Sequence, residues 1–359
     1  MHPRERMDTS ETLASHRAAR VRGFLRDHPL AFLIVLAPMV EYLTGSTAFS
    51  LLIGDPIVFL ILLGQNLGFY GSGVLLVREA RVRWRKGWAT VWLLGASYGI
   101  LEEGIGTQVL FNPATTAGVG SYGHLFGVNW ATVAVLVPIV HPLYSISLPI
   151  LLFELTLPEY RTRSLVSVRG LGLAVVLLGV DAVGTSYLLT ARVTHFFAGY
   201  LLFAACGVVG MVLVLAARFA RPTSLAARPG SPTASPSSFG ILGATFPWAI
   251  FLGSDLLIRA SAPPALVIAF VLAIGIFALR WVLVHVGRSW NARAKTALGI
   301  GLVAGLIPMG IFSQIDTGPG LVAVGAGVLL VILFCVYLWR RYRRDEAGSG
   351  YGPRGPITG

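Results

Sequence analysis

The sequence contains little charge and little cysteine, and both shortages restrict the class of protein. Only 12% of its 359 residues are Asp, Glu, Lys or Arg, which is about half the fraction found in soluble domains. The two cysteines, Cys206 and Cys335, both lie in apolar segments. The sequence therefore predicts neither a disulfide framework nor a cysteine metal site.

Motifs for nucleotides and lipid anchors are also missing. The sequence has no P-loop, no Rossmann glycine pattern, no Cys/His cluster and no lipidation motif, so we expect no nucleotide, metal or other cofactor. The net charge of +12 does not indicate nucleic acid as a partner. The basic residues occur in short clusters between apolar runs, as the positive-inside rule expects of a membrane protein.

Long apolar runs are abundant, since 55% of the residues are hydrophobic and the mean hydropathy is +0.74. Such runs can cross a bilayer only as helices, because lipid cannot hydrogen-bond an open sheet edge. Ten segments are predicted to span: 30–48, 56–77, 88–110, 130–156, 170–190, 196–217, 240–258, 264–285, 296–313 and 319–339. The predicted fold is an all-α polytopic transmembrane bundle in a bacterial plasma membrane, with both termini cytoplasmic because the basic clusters alternate.

Composition divides the chain into five parts. Residues 1–29 form a basic cytoplasmic arm, and 30–217 a core of six spans lined with polar residues. Residues 218–239 are rich in Pro, Ser and Ala and are predicted to be a flexible cytoplasmic linker. A four-span bundle follows at 240–339, and 340–359 is predicted to be a disordered cytoplasmic tail. The basic segment 78–86 is predicted to be a cytoplasmic loop.

Two adjacent acids, Glu102 and Glu103, lie inside the third predicted span. An ionised acid near a helix centre costs about 2.5–3.5 kcal/mol on insertion scales, so such residues are functional candidates. Gly95, Gly99, Glu103 and Gly106 fall on one stripe of the helix, where small residues let another helix approach closely. Tyr98 lies one turn before Glu102, so its phenol can donate a hydrogen bond to that acid.

Further polar residues lie at similar depths in other spans. At 1.5 Å of rise per residue, Glu103, Asn66 and His141 are about 10, 15 and 17 Å from the outer ends of their spans. Glu41 and Asp181 fall near the middle of theirs. We therefore predict one shared cavity, with Glu102, Glu103 and His141 as catalytic residues. The predicted substrate-binding residues are Asn66, Tyr98, Tyr144, Glu41 and Asp181.

An acidic pair in one span and a histidine in the next resemble the CAAX-prenyl endopeptidase and bacteriocin-processing family of intramembrane proteases. That resemblance implies that a glutamate activates water for peptide hydrolysis while histidines stabilise the oxyanion. Thr107 stands at the position of the motif arginine, and Val137 at that of the motif phenylalanine. His285 with Ser289 is the candidate for the third motif. The whole sequence also resembles uncharacterised multi-span proteins of high-GC bacteria.

Three functions remain open from the sequence. The first, which the sequence favours narrowly, is a divergent glutamate-dependent intramembrane hydrolase, in which residues 111–129 would serve as a lid or as a substrate entry on the outer side. The second is a proton-coupled transporter or permease, since acids and histidines spread over several spans are typical of proton relays. The third is a non-catalytic membrane scaffold. The expected partners are the lipid bilayer and either a membrane peptide or a small solute, and the oligomeric state stays open.

Overall fold

The structure is a computed structural model that describes residues 20–44, 55–221, 232–312 and 320–348. Helices make up 81% of it and sheet is almost absent from the described ranges, which confirms the all-α class. Residues 1–19 of the predicted basic arm, 222–231 of the predicted linker and 349–359 of the predicted tail lie outside these ranges.

The described residues form eleven helices of more than one turn, besides a 3₁₀ turn at Pro158–Tyr160. Their bounds, in chain order from α1 to α11, are Arg20–Asp27, Pro29–Thr44, Pro56–Arg83, Trp88–Gly106, Trp130–Thr156, Val168–Thr194, Tyr200–Phe219, Pro236–Arg259, Pro264–Ser289, Ala292–Phe312 and Gly320–Gly348. A two-stranded antiparallel hairpin, β1 (His124–Leu125) and β2 (Val128–Asn129), interrupts the α4–α5 connection.

Each of helices α2 to α11 overlaps one of the ten predicted spans. Seven of the helices in the described ranges are long and apolar enough to cross a membrane, or eight if α1 and α2, which meet at 99°, count as one span. A polytopic helical membrane protein is therefore confirmed, while the total of ten crossings remains a prediction.

Helix α5 forms the centre of the bundle. Its apolar stretch is 83% buried, whereas those of α7 and α9 are only 11% buried. The outward faces of α7 and α9 are therefore exposed and apolar, as surfaces suited to lipid are. His141 lies on α5 and is 3% exposed, so the predicted site is at the most enclosed part of the fold.

Proline shapes the middle of α5. Pro142 has no N–H to donate to the carbonyl four residues earlier, which is that of Pro138. The indole Nε1 of Trp92, on α4, donates to this carbonyl at 3.0 Å. The segment Leu136–Ser147 takes the wider π-helical form, which is common at functional sites. The sequence thus loosens α5 around His141, and a neighbouring helix supplies the missing hydrogen bond.

Two predicted boundaries are wrong. Helix α3 continues to Arg83, so the basic segment 78–86 is not simply a solvated loop, and Arg78 and Glu79 are fully buried. Arg78 Nη1 donates to Glu79 Oε1 at 2.8 Å, and this pairing is what allows both charges to leave water. Helix α11 continues to Gly348, so residues 340–348 are helical rather than part of a disordered tail.

Helices α8 and α10 touch backbone to backbone through glycine. A β-carbon on Gly243 would lie 2.7 Å from both the Leu298 carbonyl oxygen and the Leu302 nitrogen. Small residues at such a contact let two membrane helices approach closely. The contact has no room for a larger side chain, because backbone atoms cannot rotate away.

We expect the substitution Gly243→Val to separate α8 from α10 and to lower the free energy of unfolding by about 3 kcal/mol, the upper range for overpacking. Gly207→Val is the matched control, since nothing lies within 4 Å of a β-carbon at that position of α7. Denaturant titration in mixed micelles compares the two variants. If both variants lose the same free energy of unfolding, the close contact between α8 and α10 does not stabilise the fold.

Candidate functional site

The acidic pair lies on a π-helical turn, Leu101–Gly106, at the end of α4. This turn leaves backbone carbonyls without a helical partner. The Thr190 hydroxyl, on α6, donates to the carbonyls of Gly106 and Thr107 at 3.1 and 3.2 Å. The buried Gln108 continues the attachment, because its Nε2 donates to Ser186 Oγ at 2.9 Å. Helix α6 therefore fixes the conformation in which α4 presents the acids.

His141 bridges the two acids. Its Nε2 lies 2.8 Å from Glu103 Oε1, and its Nδ1 lies 3.2 Å from Glu102 Oε2. All three residues are at most 9% exposed. We call Glu102, Glu103 and His141 the triad. The Glu103 contact has hydrogen-bond geometry, whereas the Glu102 contact is an ion-pair distance only. A doubly protonated imidazole would therefore donate to Glu103 and place its positive charge beside Glu102 as well.

Close packing of α4 on α5 sets this geometry. A β-carbon on Gly95 would lie 2.7 Å from the Pro142 Cα, and one on Gly99 would lie 2.9 Å from the His141 ring. The prediction that small residues on the stripe of α4 admit a neighbouring helix is thus confirmed. The same stripe carries Glu103, so the close approach brings the carboxylate to the imidazole.

The remaining polar atoms of the triad have defined neighbours. Thr107 Oγ1 donates to Glu103 Oε2 at 2.6 Å, and Ser145 Oγ lies 3.0 Å from His141 Nδ1. Both oxygens of Glu103 and both nitrogens of His141 are therefore engaged. Glu102 Oε2 is different, since it is buried and makes no hydrogen bond of normal geometry within the described part of the chain.

Glu102 extends the polar region toward α2 and α3. The phenol groups of Tyr70 and Tyr98 lie beside its carboxylate. The Tyr98 ring also meets the His141 ring edge-on, with centroids 5.9 Å apart. Glu41, on α2, interacts electrostatically with both Glu102 and His141. Four helices therefore contribute ionisable or phenolic groups to one buried region.

The structure brings together some of the other predicted residues. Asn66 is buried on α3 and interacts with Tyr42, which adjoins Glu41 in the chain. Tyr144 is 1% exposed on α5, three residues after His141. Asp181 is partly exposed on α6, where it packs against Gly68 of α3. It is not among the described groups that interact with Glu102 or His141.

Three partners of the triad were not selected from the sequence. Ser145 follows His141 by one helical turn, and Thr107 follows Glu103 by the same spacing, so the i, i+4 rule offers a signal for both. Tyr70 is on another helix, and its polar character in an apolar span is its only signal.

The triad can also hold a metal ion by its geometry. One ligand atom from each residue can be chosen so that all lie within 4.8 Å of one another. Imidazole and carboxylate together suit divalent transition ions such as Zn²⁺, Fe²⁺ or Mn²⁺.

The segment after α4 contains the β1–β2 hairpin. Asn129 is fully buried and its side-chain amide donates to the carbonyls of Val109 and Asn112 at 2.7 and 2.8 Å. His124 Nδ1 lies 2.6 Å from Asn129 Oδ1. The hairpin is therefore fastened to the end of α4, while Phe126 at its tip is 88% exposed.

Apolar helices around a buried polar centre define the class of this protein as an integral helical membrane protein. The chain belongs to a family described as "Uncharacterized membrane protein family", whose model matches residues 31–341. No curated protein and no solved structure matches the chain significantly.

The family match tests two predictions, the resemblance to a protease family and the membrane location. The matching family is not that of the CAAX-prenyl endopeptidases, so the resemblance to those proteases is unsupported. A membrane location is supported by the family and by the apolar helices. The bacterial plasma membrane and the cytoplasmic termini remain predictions.

Proposed function

We propose that the protein is a proton-coupled transporter of a small solute, in which the triad carries the coupled proton. The observation that supports this most directly is the bridging position of His141 between Glu103 and Glu102. A histidine can accept a proton at one ring nitrogen and release another proton from the other nitrogen. An imidazole between two carboxylates is therefore arranged as a relay.

The groups around Glu102 lengthen this relay. A proton on Glu102 has the phenols of Tyr70 and Tyr98 beside it, and Glu41 lies further toward α2. Buried ionisable groups on several membrane helices are typical of proton pathways. The relay proposed here runs from Glu103 through His141 and Glu102 toward Glu41.

A glutamate-dependent hydrolase is the second candidate, favoured by the 2.8 Å contact between Glu103 and His141. Hydrolysis requires a carboxylate oxygen that takes a proton from water and a donor that stabilises the oxyanion. Thr107 and His141 engage both oxygens of Glu103, and the acids and Ser145 engage both nitrogens of His141. This arrangement supports a relay better than water activation.

The test is proton flux in reconstituted vesicles that enclose a pH-sensitive dye. With an imposed pH gradient and a panel of amino acids, sugars, organic anions and small cations, we expect at least one solute to drive proton movement through the wild type. Glu103→Gln keeps hydrogen-bonding atoms toward Thr107 and His141 but cannot exchange a proton, so flux should fall to that of empty vesicles.

Glu159→Gln is the control, because Glu159 pairs with Arg26 at 2.9 Å at the opposite end of the bundle. It should transport like the wild type. The proposed coupling would be ruled out if solute flux is the same in Glu103→Gln as in the wild type, or if it does not depend on the pH gradient. Cleavage of a membrane-peptide library by the wild type but not by Glu103→Gln would favour the hydrolase instead.

A further inference from the structure

A basic cluster lies at the end of the bundle where α3 and α5 finish and α4 begins, far along α5 from the triad. Two of its cations pair with the buried Glu154, which is 3% exposed, and a third interacts with it electrostatically. Arg81 Nη1 is 2.5 Å from Glu154 Oε1, and Arg161 Nε is 3.7 Å from Glu154 Oε2. Lys295, on α10, interacts electrostatically with all three of these groups. Three positive charges thus share one carboxylate.

Nearby acids do not balance this excess. Glu79 is engaged by Arg78 and Arg83, and Glu159 is engaged by Arg22 and Arg26. Each of those acids therefore already forms salt bridges with two cations. Among the described side chains, the cluster of Arg81, Arg161 and Lys295 keeps about two positive charges beyond Glu154.

The cluster is accessible and lies at the level of tryptophan rings. The Arg161 side chain is 42% exposed, and that of Arg81 is 12% exposed. The Arg81 guanidinium lies 4.7 Å from the Trp88 ring centroid, and Lys295 Nζ lies 5.5 Å from that of Trp290. Tryptophan is enriched where a membrane meets water. The excess charge is therefore placed at headgroup depth.

We propose that Arg81, Arg161 and Lys295 bind the phosphate of an anionic phospholipid headgroup. Guanidinium groups match phosphate oxygens geometrically, and a lysine ammonium adds a point charge. Basic pockets between membrane helices are known to take such headgroups. An acyl chain of the same lipid would lie along the apolar surface of the bundle. This site is independent of the triad and of proton coupling.

The test measures lipid retained by the purified protein, using native mass spectrometry with phosphatidylglycerol and phosphatidylcholine at equal amounts. We expect the wild type to retain phosphatidylglycerol selectively. Arg161→Gln and Lys295→Gln should each weaken this binding about fivefold, the effect of one basic residue near an anionic surface. Arg340→Gln, an exposed position on α11, is the control and should bind like the wild type.

Two results would overturn the assignment. Equal weakening by Arg161→Gln, Lys295→Gln and Arg340→Gln would mean that only overall charge attracts the lipid. Displacement of phosphatidylglycerol by millimolar inorganic phosphate would mean that the cluster is a site for a free anion. Circular dichroism of each variant confirms that it is folded, and because Arg161 is substantially exposed its replacement should not unfold the bundle.

Discussion

Replacing Glu79 by alanine is expected to lower the free energy of unfolding by about 3–5 kcal/mol, the usual cost of breaking a buried ion pair. Glu79 accepts from Arg78 at 2.8 Å, from Arg83 at 3.1 Å and from the Leu165 amide at 2.8 Å. It also accepts from the Ser164 hydroxyl. Without it, Arg78 keeps a fully buried charge, and the α5–α6 connection loses the hydrogen bonds that Ser164 and Leu165 make to α3.

Arg78→Ala should lower the free energy of unfolding by a similar amount, because it leaves the other charge of the pair buried. Arg78 also donates to the carbonyls of Tyr160 and Arg163, so its loss leaves Glu79 and two carbonyls without these donors. Arg83→Ala is the milder comparison, because its side chain is 29% exposed and exposed pairs contribute about 0–1 kcal/mol. Denaturant titration in mixed micelles measures all three, and equal values for Glu79→Ala and Arg83→Ala would contradict the importance of burial.

The same pair shows where sequence reasoning failed. The run from Arg78 to Lys86 has the composition of a solvated loop, and local composition alone indicates a helix end at residue 77. The helix continues because distant residues of the α5–α6 connection supply partners for both charges. A contact between residues more than eighty positions apart leaves no local signal.

The helix bounds were predicted correctly where an apolar run has the length needed to cross a membrane and polar residues at both ends. The predicted span 130–156 coincides with α5, Trp130–Thr156, because an apolar run bounded by polar segments must form one helix in lipid. The glycine stripe of α4 correctly indicated a close helix neighbour. Depth along the helix could not show that Glu41 lies near the triad and Asp181 does not. Which face of a helix carries a residue depends on its rotation about the helix axis, and depth does not report that rotation. Glu41 faces the triad, whereas Asp181 packs on Gly68.

Removing the imidazole is the second large effect we expect. His141→Ala would leave the carboxylates of Glu102 and Glu103 buried without their shared positive partner, and Glu41 would add a third acid to the same region. At neutral pH the free energy of unfolding should fall by about 3–5 kcal/mol. The loss should shrink as the pH is lowered, because a protonated carboxyl group carries no charge that needs compensation.

Two comparisons separate this charge effect from lost packing. Ser145→Ala removes only the 3.0 Å hydrogen-bond partner of His141 Nδ1, so it should cost about 1 kcal/mol and show little dependence on pH. The double variant Glu103→Gln with His141→Ala removes one carboxylate together with its partner, so it should be more stable than the sum of the single losses predicts. If the His141→Ala loss is the same at every pH, or if the two substitutions add without coupling, the triad is held by packing rather than by charge. A coupled, pH-dependent loss would mean that protonation of these acids changes the stability of the bundle centre, as a proton-carrying site in a transporter requires.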